Sequence, residues 1–320
     1  MPDSSAPNSA RAALTEQLIA FAGDNPPEVV EELKSRLATV LDEGGRVGLA
    51  RLFKRLATTG SDWTYYPSDP LARKIHGVVG DFALGAESVL EGKEFLEKVR
   101  GRSAVFLANH LSYADANVLQ VLLDRSGGSE VGDRLTVIVG PKVFSDPMRR
   151  FSSLCFGSVK MPQSSDRASD EAVMNSKDVA RFALDALKVV DDRRRAGDIL
   201  LVFVEGTRSR TARMQRALAA VARYVEGNDD MLLVPIGISG SERLFPVGIE
   251  RVHRTKVTVR VGAPGSAAAL LQGTDGKRQL MMDAVGCAIA DLLPAEYRGV
   301  YGDATQFAEA RALGASVFRQ

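Results

Sequence analysis

A chain of 320 residues, 45% apolar and 25% charged, is long enough to bury a substantial core and is neither disordered nor fibrous. Its formal net charge of +1 gives no global attraction to nucleic acid, so any recognition of anions has to be local. Two cysteines and three scattered histidines exclude a disulfide framework and supply no ligand spacing for zinc.

In chain order, residues 1–8 read as a tail. Helical spacing follows: Val30, Leu33, Leu37, Val40 and Leu41 recur at three and four, between Asn25-Pro26-Pro27 and the stop signal Gly44-Gly45. Leu49, Leu52, Phe53 and Leu56 repeat the pattern, as do Ile75, Val78, Val79 and Phe82 behind Ser68-Asp69-Pro70. Short gaps between these stretches predict a small helical bundle over residues 1–98.

Near Arg100 the texture changes. Short apolar runs at 104–108, 135–139, 199–204, 232–238 and 256–261 alternate with amphipathic segments at 114–123, 177–190 and 211–225. Strands interleaved with helices predict an α/β domain over 99–320, a mixed sheet flanked by helices. Residues 162–176 are polar and aperiodic and read as a loop. No apolar run approaches the roughly 18 residues that span a bilayer. The N-terminus has no secretory pattern. A cytoplasmic protein, meeting lipid only from the water side as a peripheral contact at the inner membrane face, is the expectation.

Ligands of such sheets gather beyond the carboxyl ends of the strands. After the first strand stands FLANHLSYADANVL, with His110 and, five positions on, Asp115. A helix starting near Ser112 would bring the Asp115 carboxylate to one imidazole nitrogen, fixing the tautomer and supporting the imidazolium that forms when the other nitrogen takes a proton. After the strongest strand stands FVEGTRSR, where Gly206 permits a tight turn and Arg208 and Arg210, two apart, can point the same way toward a phosphate. In LLVPIGIS, Pro235 interrupts an apolar run, which suggests an edge strand or one that ends at a site. The stretch from 140 to 162 adds Lys142, Arg149, Arg150 and Lys160 near the same rim. His76 and His253 read as structural.

NHLSYAD, then EGTRSR, then VPIGIS, in that order, resembles the glycerolipid acyltransferase superfamily over roughly residues 100–262. The helical N-terminal part makes the layout similar to that of the soluble plastid-type glycerol-3-phosphate acyltransferases. The resemblance implies His110 as catalytic base and Asp115 as its partner. It implies Arg208 and Arg210 as ligands of the acceptor's phosphate, with Glu205, Gly206 and Thr207 shaping that loop, and Pro235 as the fourth motif. Where members carry an arginine in the second motif this chain has FGSVKMP, so Lys160 would supply that charge.

The implied reaction moves a fatty acyl group from acyl-CoA or acyl-carrier protein to a hydroxyl of glycerol 3-phosphate, an early step of phospholipid synthesis, with no cofactor and no metal. The alternatives are lysophosphatidate (1-acyl-glycerol 3-phosphate) as acceptor, a thioester hydrolase using the same His–Asp pair, and a non-catalytic lipid or carrier-protein binding module.

Overall fold

The computed structural model describes residues 6–22, 25–162, 176–227, 230–246 and 251–318. The first part is mainly helical, with α1 (Ala6–Ala22), α2 (Pro27–Thr58) and α3 (Pro70–Ala83). Helix α1 begins inside the segment read as a tail; residues 1–5 lie outside the described ones.

The predicted stop at Gly44-Gly45 becomes a kink. Gly45 takes φ 59°, ψ −174°, a conformation that glycine adopts without steric cost, and the helical path resumes beyond it. Leu33, Leu37 and Leu41 before the kink and Leu49 and Leu52 after it are buried. Asp69 caps α3 by accepting the Leu71 and Ala72 N–H groups, and its second oxygen takes Arg51 Nε at 2.9 Å, which ties α3 to α2.

The remaining elements are β1 (Tyr65–Tyr66), β2 (Val89–Glu91), β3 (Ala104–Ala108), α4 (Asp115–Arg125), α5 (Ser129–Asp133), β4 (Leu135–Val139), α6 (Lys142–Ser145), α7 (Pro147–Ser153), β5 (Gly157–Lys160), α8 (Ser176–Arg195), β6 (Ile199–Phe203), β7 (Leu232–Ser239), α9 (Ser241–Leu244), β8 (Thr258–Val261), β9 (Gly265–Ser266), α10 (Ala267–Thr274), α11 (Arg278–Asp291) and α12 (Ala308–Phe318). They form a mixed sheet flanked by helices, in the order β1-β5-β4-β6-β3-β7-β8-β2, with β9 also pairing β7. Strands β5, β4, β6, β3 and β7 are mutually parallel, and β1 and β8 run antiparallel to their neighbours β5 and β7.

The expected division at residue 98 falls after β2, which pairs with β8, and β1 pairs with β5; the N-terminal part thus supplies both ends of the sheet path. Apolar side chains gather in two clusters. The larger lies around the sheet. The smaller joins α1, α2 and α3 to Phe151 of α7 and to Leu154.

Three readings need correction. The segment 211–225, expected as a helix, holds only a 3-10 turn, Ala219–Tyr224. Its backbone N–H groups go to tertiary partners instead: Met214 N donates to Tyr297 O and Leu218 N to Val204 O, both at 2.9 Å, while Ala212 takes a left-handed φ of 58°. Strand β5 lies inside the stretch read only as a basic rim, because four residues are too few to show a period. Pro235 sits in the middle of an internal strand, not at an edge. β7 exchanges β9 for β8 as its neighbour at that point, and the Pro235 carbonyl accepts from Gly262 N at 2.8 Å, so the missing N–H falls at a break in the ladder. The predicted loop at 162–176 lies mostly outside the described residues.

Candidate active site

Strands β6, β3 and β7 are adjacent at the centre of the sheet, and the three motif-bearing segments leave their ends or run along them. The fully buried Asn109 side chain donates to Ile238 O at 2.9 Å and accepts from Ile238 N at 2.8 Å, pinning the turn after β3 to β7. The next residue is pinned on the other side. His110 N donates to Glu205 Oε1 at 2.9 Å, and Ser209 N donates to the His110 carbonyl at 2.8 Å. The imidazole therefore projects from a turn whose backbone is held to both neighbouring strand ends.

Its Nδ1 lies 2.8 Å from Asp115 Oδ2, and its ring stacks on Phe203 with centroids 4.0 Å apart and planes 17° from parallel. Asp115 opens α4 and is fully buried, which an ion tolerates only when it is well hydrogen-bonded. Oδ2 also accepts the Leu111 and Ser112 N–H groups at 2.7 and 3.0 Å, and Oδ1 accepts the Ser241 hydroxyl at 2.6 Å. A carboxylate so placed accepts from His110, so Nδ1 carries the proton and Nε2 presents its lone pair. The Ser112 hydroxyl accepts from Ala114 N at 3.2 Å.

Glu205 is buried, and burial pushes its carboxyl up to about 7, against the lowering effect of the Gln215 and His110 N–H groups it accepts. It braces the loop and does not line the cavity. Gly206, at φ 66°, makes the turn, after which Gly206, Thr207, Arg208 and Arg210 line a cavity of about 1570 Å³ that His110 also lines. The rest of its wall is largely apolar, including Val79, Ala83, Val118, Val121, Val139 and Phe156.

Two of the residues singled out in the sequence do not line the cavity. Lys160 turns to other partners: its ammonium donates to Gly60 O at 2.6 Å and lies 4.5 Å from the Trp63 ring centroid. It is 9% exposed, burial lowers its pKa, and it does not reach the cavity. Pro235, buried in the sheet, does not line the cavity either.

Sequence reasoning missed Ser241, which reaches Asp115 from the far end of β7; no spacing distinguishes it from the other serines. It also missed Tyr113, whose ring lies 3.6 Å from Arg208 Cζ. Among the described residues no group of three or more His, Cys, Asp or Glu could hold a metal ion, and no helix is long and apolar enough to cross a membrane.

A base-bearing turn, a carboxylate behind it and an arginine loop beside it thus meet at the parallel central strands of the mixed sheet. Residues 88–239 match the family model described as Acyltransferase. Among solved structures, the 1-acyl-sn-glycerophosphate (LPA) acyltransferase PlsC from Thermotoga maritima is similar over 87% of this chain and 94% of that one, at 17% identity and a TM-score of 0.49. No curated protein matches the chain.

Proposed function

We propose that the protein transfers a fatty acyl group from a thioester, acyl-CoA or acyl-carrier protein, to a hydroxyl of glycerol 3-phosphate, with His110 as general base. The observation that carries this reading is the His110–Asp115 contact of 2.8 Å at the wall of the cavity that Arg208 and Arg210 also line. The acceptor's phosphate docks on the arginines, and its hydroxyl reaches His110 Nε2. As the alcohol oxygen attacks the thioester carbonyl, Nε2 takes the hydroxyl proton, and Asp115 stabilises the imidazolium. When the tetrahedral intermediate collapses the carbon–sulfur bond breaks, and the imidazolium returns its proton to the departing thiolate. Stacking on Phe203 keeps the ring plane fixed throughout.

A cavity of about 1570 Å³ exceeds the roughly 300–1,000 Å³ of ordinary small-molecule sites. That room favours a second reading in which the acceptor, 1-acyl-glycerol 3-phosphate, brings a chain of its own. Labelled acyl transfer with both acceptors in competition separates the two. Free fatty acid without any acylated glycerol, across a panel of phosphorylated alcohols, would exclude transferase activity and leave a thioester hydrolase.

A further inference from the structure

The family match ends at residue 239, yet the loop that carries Arg208 and Arg210 is held from beyond it. Thr207, Arg210, Thr211 and Arg213 are exposed, so the tip of this loop has little packing of its own. Its return limb is fixed instead by a row of hydrogen bonds from the C-terminal part of the chain. Met214 N donates to Tyr297 O at 2.9 Å, and Met214 O accepts from Val300 N at 3.1 Å. Gly299, at φ 53°, permits this approach, because a Cβ there would strike the Met214 carbonyl. Ala217 N donates to the Tyr301 hydroxyl at 2.9 Å, and Ala217 O accepts from Gln279 Nε2 at 3.1 Å. The Tyr301 hydroxyl in turn donates to Asp283 Oδ1 at 3.0 Å, and Arg216 closes the circuit on Asp283 with bonds of 3.0 and 2.6 Å. Tyr301 is fully buried, and burial holds its hydroxyl well above the usual phenol range, so the O–H stays protonated and keeps both partners.

The same limb reaches the base. Gln215 N donates to Glu205 Oε2 at 2.8 Å, and the other oxygen of that carboxylate accepts His110 N at 2.9 Å. We infer that Tyr301 and Asp283 are positioning residues: with Arg216 they fasten residues 214–218 to the C-terminal helical layer, and through Glu205 they set the offset between the arginine loop and His110. The task given to that loop rests on the acyl-transfer reading, whereas the fastening rests on the geometry alone. A loop ordered before the acceptor arrives relieves binding of that ordering cost, and small errors of placement at a reacting centre lower the rate steeply. Neither Tyr301, Asp283 nor Arg216 lines the cavity, so their effect reaches a substrate only through the loop.

The test sets Tyr301→Phe, which keeps the ring packed against Gly286 and loses only the hydroxyl, beside Leu270→Ala, which loosens the packing of α10 on α11 and α12. In hydrogen-exchange mass spectrometry of the whole protein, amides of residues 206–218 should exchange about ten-fold faster in Tyr301→Phe and within about two-fold of the unaltered rate in Leu270→Ala. In steady-state assays Tyr301→Phe should raise the KM for the phosphorylated acceptor about ten-fold while the KM for acyl-CoA stays within about two-fold, and Leu270→Ala should move neither. Arg216→Gln, a change at a half-exposed side chain, should repeat both effects and serves where Tyr301→Phe does not fold. Unaltered exchange at 206–218 in these two variants would overturn the brace. Faster exchange with both KM values intact, and a fall in kcat that only matches the loss of folded protein, would overturn the positioning role. Should no phosphorylated alcohol be acylated at all, the acyl-transfer reading falls, while the exchange rates still decide whether the brace exists.

Discussion

At the scale of single residues, the site concentrates its hydrogen bonds on one buried carboxylate. Asp115 accepts four donors from His110, Leu111, Ser112 and Ser241. In Asp115→Asn the amide oxygen can still accept the three N–H groups and the Ser241 hydroxyl can turn to accept from the amide nitrogen, but charge-assisted hydrogen bonds become weaker neutral ones and the charge that supports the imidazolium is lost. Asp115→Asn is therefore expected to lower both the thermal midpoint and kcat, whereas His110→Ala, which removes one of the carboxylate's four donors, should lower kcat by about 10²–10⁴-fold with a smaller drop in the midpoint. Parallel melting curves and single-turnover rates check both.

Two other residues contribute to the pH dependence of stability in opposite directions. Burial pushes the His76 imidazole down to about 4, so the folded state refuses a proton that the unfolded chain binds at 6.5. His76 thus contributes stability above 6.5 that is lost as pH falls toward 4, about 2 kcal/mol of it by pH 5. Glu205, raised to about 7 from an ordinary 4.5, behaves oppositely: its contribution is full below 4.5 and is lost as pH rises through 7, about 2 kcal/mol between pH 5 and pH 8. The two nearly cancel. His76→Phe, which keeps an aromatic ring against Phe151, should unmask the Glu205 effect, so that stability measured by urea denaturation falls steadily from pH 5 to pH 8.

At the scale of elements, helix α3 presents Val79, Gly80 and Ala83 to the cavity, and α4 presents Val118 and Val121 opposite. A Cβ at Gly80 would come within 2.6 Å of a Val121 methyl, so the two helices approach closely there because one of them has no side chain. Gly80→Leu should crowd this wall and shift preference toward shorter acyl thioesters, which a comparison of kcat/KM for long- and medium-chain donors checks.

The strands were the most legible elements. Apolar runs, broken only by Thr136, predicted β3 and β4 to the residue, since strands buried on both faces need no polar alternation. His110, Asp115, Arg208 and Arg210 were legible because each follows closely on such a strand, at the carboxyl end where a parallel sheet collects its ligands. Lys160 was misplaced because nothing local shows which way a lysine at the end of an unrecognised strand points, and here it turns to the Gly60 carbonyl and the Trp63 ring. The 211–225 segment has a helical apolar rhythm, yet Tyr297 and Val204 capture its backbone, a tertiary contact that no local pattern announces.

At the scale of the molecule, the two apolar clusters are covered by one continuous chain that crosses between them repeatedly. Leu37 is fully buried in the smaller cluster, far along α2 from the sheet. Leu37→Ala should cost about 2–5 kcal/mol in denaturant titrations. Because Phe151 and Leu154 of the α7 region belong to that same cluster, the loss should also loosen α7, whose Met148 and Arg149 line the cavity.

The placement of β1 and β2 has a consequence for biosynthesis. Glu91 meets its ladder partner Arg260 only across a separation of 169 residues, so one border of the sheet leaves the ribosome early and waits for most of the chain before it can pair. Long-range parallel pairing of this kind is slow, and an unpaired border is an adhesive one during the delay. Newly made chains should therefore depend on chaperones until β8 emerges, and expression at reduced temperature should raise the soluble yield.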